Sequence, residues 1–189
     1  MTLTNSDDVI GKVSVFVTRG TDLGRELLVF RHPSGGVHLP AGTVEENEAA
    51  DVAALRETWE ETGLNQVIII ATLGSQRETM RNDYQMVLRR VTLRHDPAPD
   101  APAVVASFPT YLGLRRGLPV RQIGDVQNGF APVAYEEYDG IMDAADAVPS
   151  RTVKGWVPAD ALTPTIQRHF WQWSGQCCFD KIGYGRSSI

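Results

Sequence analysis

The chain has 189 residues, 42% of them hydrophobic and 22% charged, with a formal net charge of −5. That length and balance give one sizeable core in a single domain and exclude wholesale disorder. The acidic surplus does not advertise a nucleic acid or a membrane surface as partner, so a phosphate-bearing ligand has to be met locally, by a metal ion or a few arginines.

Met1 to Asp8 is polar and lacks the layout of a secretory leader. No apolar run approaches the roughly 20 residues of a membrane span, so a cytoplasmic location is expected. Val13 to Val17 alternates and predicts a strand, Asp22 and Gly24 mark a turn, and Glu26 to Phe30 predicts the returning strand of a hairpin. After a second turn at Pro33 to Gly36 comes a short strand, Val37 to Leu39, stopped by Pro40. His32 and His38 flank that turn with no nucleophile to pair with, and read as exposed or structural. Asn47 to Thr62 predicts a helix, with Asn47 as N-cap and Gly63 as the glycine after the C-terminus. Strands follow at Val67 to Ala71 and Tyr84 to Leu93.

A proline-rich connection runs from Asp96 to Pro102, and Ala103 to Val133 reads as irregular; together, residues 96–133 are expected to be an insertion carrying a hairpin. Val153 to Val157 predicts a late strand, and Pro164 to Trp173 a terminal helix docked by its aromatics. From Gly175 the chain is rich in glycine and serine and is expected to be mobile. Cys177 and Cys178, the two cysteines, are adjacent and read as free thiols; a zinc site pairing them with His169 matches no common spacing. The order is mixed α/β, without the regular alternation of a doubly wound fold and without a Walker or Rossmann glycine loop.

The chemistry lies in the predicted helix. Glu57, Glu60 and Glu61 fall three and four residues apart and share one face, with neighbouring Cβ atoms about 5–6 Å apart. Ala50, Ala53 and Ala54 extend that face, while Val52, Leu55 and Trp59 form the opposite one, so the helix is expected to be covered on both sides except where the glutamates emerge. Three clustered carboxylates repel one another, and Arg56 alone cannot neutralise them. A divalent cation can, and oxygen ligands of this kind suit Mg²⁺ or Mn²⁺ acting on a substrate phosphate. Three glutamates by themselves are more often a solvated acidic face.

The spacing decides against that reading. Gly42, Glu48, Arg56, Glu57, Glu60, Glu61 and Gly63 fill every glycine and charged position of a 23-residue pattern that resembles the Nudix box. At average residue frequencies seven such matches at a given start arise by chance on the order of once in 10⁸. The departure is Thr58, where the family prefers an aliphatic residue.

The resemblance implies a single-domain Nudix-like α/β/α sandwich with a mixed β-sheet, and a hydrolase of nucleoside diphosphates linked to another group, using Mg²⁺ or Mn²⁺. It implies Glu57 and Glu61 as principal metal ligands, Glu60 as a further ligand or the base, and the Ala41 carbonyl as another metal-binding oxygen. It implies Arg56 as the residue holding the glutamates, Glu48 as its partner or a water-mediated ligand, and Gly42 as the tight turn. Glu136 and Glu137, in the segment Tyr135 to Tyr138, are alternative bases or plain loop acids.

Leu39-Pro40-Ala41-Gly42 is similar to the entry of ADP-ribose and nucleotide-sugar pyrophosphatases, a weak lean; the proline such enzymes carry about fifteen residues after the box is absent, with Thr79 and Met80 in that neighbourhood, and Tyr84 lies slightly too far on for the tyrosine of dinucleoside polyphosphate hydrolases. Arg31, Arg77, Arg81, Arg115, Arg116 and Arg121 are candidate phosphate contacts, and Tyr84, Phe130 and Tyr135 candidate stacking partners for a base, against ordinary surface and core roles. Trp59, Trp156, Trp171 and Trp173 are assigned to packing. A pool-cleaning hydrolase of nucleoside triphosphates and a non-catalytic nucleotide-binding module are the rivals, the latter disfavoured by the intact glutamates. The expected partner is a small-molecule nucleotide; many members of the family are dimers, so a homodimer is allowed, with the Ala103 to Val133 segment as its interface or a lid.

Overall fold

Valine at every second position makes β1 (Ile10–Thr21) a strand with one buried face, Val13, Val15 and Val17 each being 1% exposed or less. In the computed structural model, residues 8–32, 36–81, 83–104, 113–137 and 148–175 are described. They gather into two compact units. The first, the helix unit, holds Gly11–Gln76 and the chain from Arg168 onward; the second, the meander unit, holds Arg77–Gln167 and the chain up to Ile10.

In the helix unit β2 (Gly24–Leu27) returns antiparallel to β1, Thr18 opposite Leu27 and Thr21 opposite Gly24. The predicted returning strand is split: Leu28 leaves the ladder, is 2% exposed, and donates its amide to the Val17 carbonyl. β3 (Phe30–His32) and β4 (Gly36–His38) pair with each other. β5 (Ala41–Thr43) lies antiparallel to β1, with Lys12 opposite Thr43 and Ser14 opposite Ala41. α1 (Ala50–Thr62) follows, and β6 (Val67–Thr79) after it. The larger sheet runs in the order β2-β1-β12-β6, with β5 also on β1 and β12 spanning Thr165–Gly175.

The helix begins three residues later than its sequence predicts. Asn47 takes φ 63° and Ala49 is the N-cap, without a side-chain cap. Its end matches: Gly63 has φ 73° and donates its amide to Trp59 O at 2.7 Å. Ala53, Ala54 and Thr58 are fully buried, but Val52, Leu55 and Trp59 are 51%, 41% and 56% exposed, so this helix is covered on one side only and Trp59 is not a core residue.

The segment read as a terminal helix is the strand β12. Trp171 and Trp173 are two apart, which places both on one face of a strand and roughly 200° apart on a helix. Both pack on the core of Val13, Val15, Val17, Ala53 and Ala54, and the Thr18 hydroxyl donates to the Trp173 carbonyl. Aromatic and β-branched residues suit that pleated, half-buried surface. Among the described residues α1 is therefore the one α-helix, in a mixed α/β fold.

The meander unit is built on a sheet ordered β10-β9-β8-β7-β11, where β7 is Tyr84–Val87, β8 Pro119–Gln122, β9 Phe130–Glu137, β10 Arg151–Pro158 and β11 Leu162–Thr163. β7 stops well short of Leu93. The 96–133 segment does carry a hairpin, β8 to β9, but Leu114, Val120, Ala131 and Val133 are 1% exposed or less and belong to the main core with Val87 and Val157. Cys177, Cys178 and the glycine-rich end lie outside the described residues.

Candidate active site

In the helix unit the turn from β5 brings the backbone to the glutamate face of α1. The Ala41 amide donates to Glu61 Oε2 at 3.0 Å. Gly42 lies so close that a Cβ built on it would sit 1.9 Å from Cδ of Glu57. A side chain at this position would have to push the Glu57 carboxylate aside.

Arg56 gathers the acids. Its Nε and Nη2 hold the two oxygens of Glu48 at 2.9 and 2.8 Å, a planar fork on a planar acceptor. Nη1 reaches Glu57 Oε1 at 2.8 Å and Glu60 Oε2 at 3.3 Å, and Nη2 also donates to the Thr43 carbonyl. Glu48 in turn accepts from the Glu45 amide. Hydrogen bonding from Arg56 holds the Glu48 carboxyl below the usual glutamate range, against the opposing effect of burial. The same bond to Glu48, with that to Glu57, pushes the Arg56 guanidinium up, so it stays charged throughout. The Glu48 and Glu57 side chains are 13% and 14% exposed, and Glu60, on the weakest of these bonds, is 48% exposed.

Thr58, the departure from the box pattern, is fully buried and donates its hydroxyl to the Ala54 carbonyl one turn back. That bond satisfies the polar group an aliphatic residue would lack. Lys12 was not singled out by the sequence: its Nζ donates to Thr43 Oγ1 at 2.7 Å, beside the carbonyl that Arg56 uses. Only the β1–β5 register reveals it. Arg31, on β3, is exposed.

The chemistry of the donors suits a hard divalent cation, since three carboxylates share one guanidinium and a fourth, Glu61, lies against the Ala41 backbone. In this arrangement Glu57 and Glu60 turn to Arg56 and Glu61 to the Ala41 amide. Among the described residues no three acidic, histidine or cysteine side chains converge on one point. Binding a metal therefore calls for the glutamates to exchange these bonds for metal–oxygen ones.

In the meander unit Glu136 and Glu137 are strand residues of β9, not loop acids, opposite Thr152 and Arg151 of β10. Glu136 is 9% exposed and fully engaged. Arg121 donates Nε and Nη2 to its Oε1 at 3.0 and 2.8 Å, and the Tyr84 hydroxyl donates to Oε2 at 2.8 Å. The bond to Glu136 pushes the Arg121 guanidinium up. Tyr84, considered for stacking, is thus a hydrogen-bonding residue. Glu137 has Arg151 at 3.8 Å.

Phe130 is a core residue of this unit and Tyr135 is partly buried against its core; burial, with Glu137 second, pushes the Tyr135 phenol up. Arg77 donates to Gln167 Oε1 at 3.4 Å, Arg116 to the Leu88 carbonyl, and Arg81 is exposed. The structure brings together Tyr84, Arg121 and Glu136; it does not cluster the other proposed phosphate contacts. No helix among the described residues is long and apolar enough to cross a membrane.

The sequence model described as the NUDIX domain matches residues 11–114, more than half of the chain. Nothing among the curated proteins matches it.

Proposed function

The chain belongs to the NUDIX domain family, hydrolases acting on pyrophosphate bonds that typically use divalent metals, and from that membership we propose a magnesium-dependent hydrolase of nucleoside diphosphates linked to a second group. The observation that supports it is the density of carboxylate at α1, with Glu48, Glu57 and Glu60 held by Arg56, Glu61 held by the Ala41 amide, and Gly42 pressed against Glu57. The weak lean within the class is to ADP-ribose or a nucleotide sugar, resting on Leu39-Pro40-Ala41-Gly42. In this reading residues 1–189 serve as one catalytic domain.

Glu57 and Glu61, with the Ala41 carbonyl, would hold the metal, and Glu60 would be a further ligand or the base. When bound, it would polarise the diphosphate and lower the pKa of a water. Arg56 fixes the side chains of Glu48 and Glu57 and limits the rotamers open to Glu60, so less ordering remains to be done when ligands bind. Glu60 is the best placed to take the proton of the attacking water: it is the most exposed of the acids that Arg56 holds and the most weakly bonded. Glu136 suits that task less, because both its oxygens already accept bonds from Arg121 and Tyr84.

The test is phosphate release, coupled to a phosphatase, from ADP-ribose, nucleotide sugars, dinucleoside polyphosphates and nucleoside triphosphates, with and without Mg²⁺. A magnesium-dependent signal with the first two classes is expected. A signal with triphosphates alone replaces the reading with that of a pool-cleaning enzyme. Silence across the panel with tight nucleotide binding replaces it with a binding module.

A further inference from the structure

The meander unit carries an open cavity of about 490 Å³ that the hydrolase reading does not use. Asp83, Gln85, Arg121, Gln122 and Asp125 line it, with Ile123 as its apolar side chain. The walls come from adjoining strands, since Tyr84 of β7 stands opposite Arg121 of β8 and Gln85 opposite Val120. The Gln122 amide donates to the Asp83 carbonyl at 2.7 Å, and Gln122 Nε2 to the Gly124 carbonyl at 2.9 Å, which fixes the rim.

Arg121 is oriented in advance. A buried carboxylate, Glu136, takes two of its donor nitrogens, while Tyr84 occupies the other carboxylate oxygen. Its Nη1 has no hydrogen-bond partner among the described residues, and the Asp83 and Asp125 carboxylates accept no hydrogen bond from them either. A polar cavity lined by one held arginine and two aspartates suits a ligand that both gives and takes hydrogen bonds.

We propose that this cavity binds a vicinal diol, as presented by a ribose ring. Two hydroxyls can donate to Asp83 or Asp125 while their oxygens accept from Arg121, as acidic side chains meet ribose hydroxyls elsewhere. Phosphate is disfavoured, because Glu136 balances Arg121 and the two aspartates leave negative charge in excess. A nucleobase lacks a platform, since the lining holds no aromatic ring. The size falls within the roughly 300–1,000 Å³ of small-molecule sites. This inference stands apart from the hydrolase reading, as it invokes neither α1 nor a metal.

The experiment is a titration of the full chain by amide NMR, without divalent metal, using adenosine, 2′-deoxyadenosine and methyl β-D-riboside. Adenosine is expected to shift the resonances of Gln122 to Asp125, and 2′-deoxyadenosine to bind at least about tenfold more weakly, because a site that bonds a hydroxyl rejects its absence. Asp83→Asn and Asp125→Asn should each weaken adenosine by about tenfold with an unchanged melting temperature, both side chains being at the surface. Binding of the riboside as well identifies a general sugar site, and binding of adenosine alone a nucleoside site; both support a diol. Equal binding of the two nucleosides, no shift at millimolar ligand, or full binding by both variants overturns the proposal.

Discussion

Arg56 and Arg121 both organise carboxylates, and they do so in opposite proportions. Arg56 on α1 faces Glu48, Glu57 and Glu60, with Glu61 one turn further on. Arg121 on β8 is hydrogen-bonded to one carboxylate, Glu136, whose second oxygen is taken by Tyr84. Around Glu136 the second arrangement is closed: a part-buried acid matched by a cation and a hydroxyl loses little by staying as it is. The first is crowded with acids, and a further positive charge would relieve it. Both are dense charge networks around an arginine, so density alone does not identify chemistry. Imbalance does.

The largest effect should come from reducing that imbalance. Glu57→Gln or Glu61→Gln is expected to lower magnesium-dependent turnover at least about a hundredfold, the loss typical of removing one electrostatic stabiliser from an active centre. The fold should survive, since the variant relieves repulsion among the acids. Steady-state kinetics beside a thermal melt checks both halves, and unchanged kinetics in the two variants would end the metal assignment. Chelation should abolish turnover and lower the melting temperature modestly, because metal binds the folded cluster alone.

The base assignment sharpens the contrast further. Glu60→Gln should reduce kcat on the order of 10² or more, as loss of a general base does, and Glu136→Gln should reduce it far less. The reverse order would move the base from α1 to β9. Next comes Gly42→Ala. The new methyl group would overlap the Glu57 carboxylate, which is the end of a flexible side chain and can turn aside. Activity should therefore fall more than stability does, a split read by comparing kcat with the melting temperature.

The box helix was legible in the sequence because its signals are local: glutamate spacing, a glycine at the end, alanines along one face. Its start was not, since Asn47 is a good cap by type but stands at φ 63° in the turn that lets Glu48 reach Arg56. β12 was misread because a proline followed by polar and aromatic residues satisfies a helix as easily as a strand. What decided it was pairing in the β2-β1-β12-β6 sheet with residues distant in sequence. Lys12 and the union of Tyr84, Arg121 and Glu136 escaped for the same reason. Each depends on strand register, which no window of neighbours contains.

A smaller effect is a pH dependence. Arg56 holds the Glu48 carboxyl below its ordinary range, so Glu48 stabilises the fold fully above the unfolded value, near 4.3 for glutamate, and loses that contribution as pH falls through its lower folded value. Wild type should melt higher than Glu48→Gln near neutral pH, and the gap should narrow in acid. A gap independent of pH would mean that shape, not charge, carries the Glu48–Arg56 contact.

The smallest effect is expected at Thr58, the one position where the chain departs from its family's pattern. Thr58→Val keeps the branched shape and removes a hydroxyl that donates to the Ala54 carbonyl within the same helix. That carbonyl remains available to its helical amide, so little is left unsatisfied. Stability should change by less than about 1 kcal/mol in either direction, and kcat should stay unchanged, because Thr58 faces the core and the glutamates do not. A large loss of turnover on this substitution would mean that the buried face of α1 sets the positions of the acids. The division between packing face and reacting face would then fail.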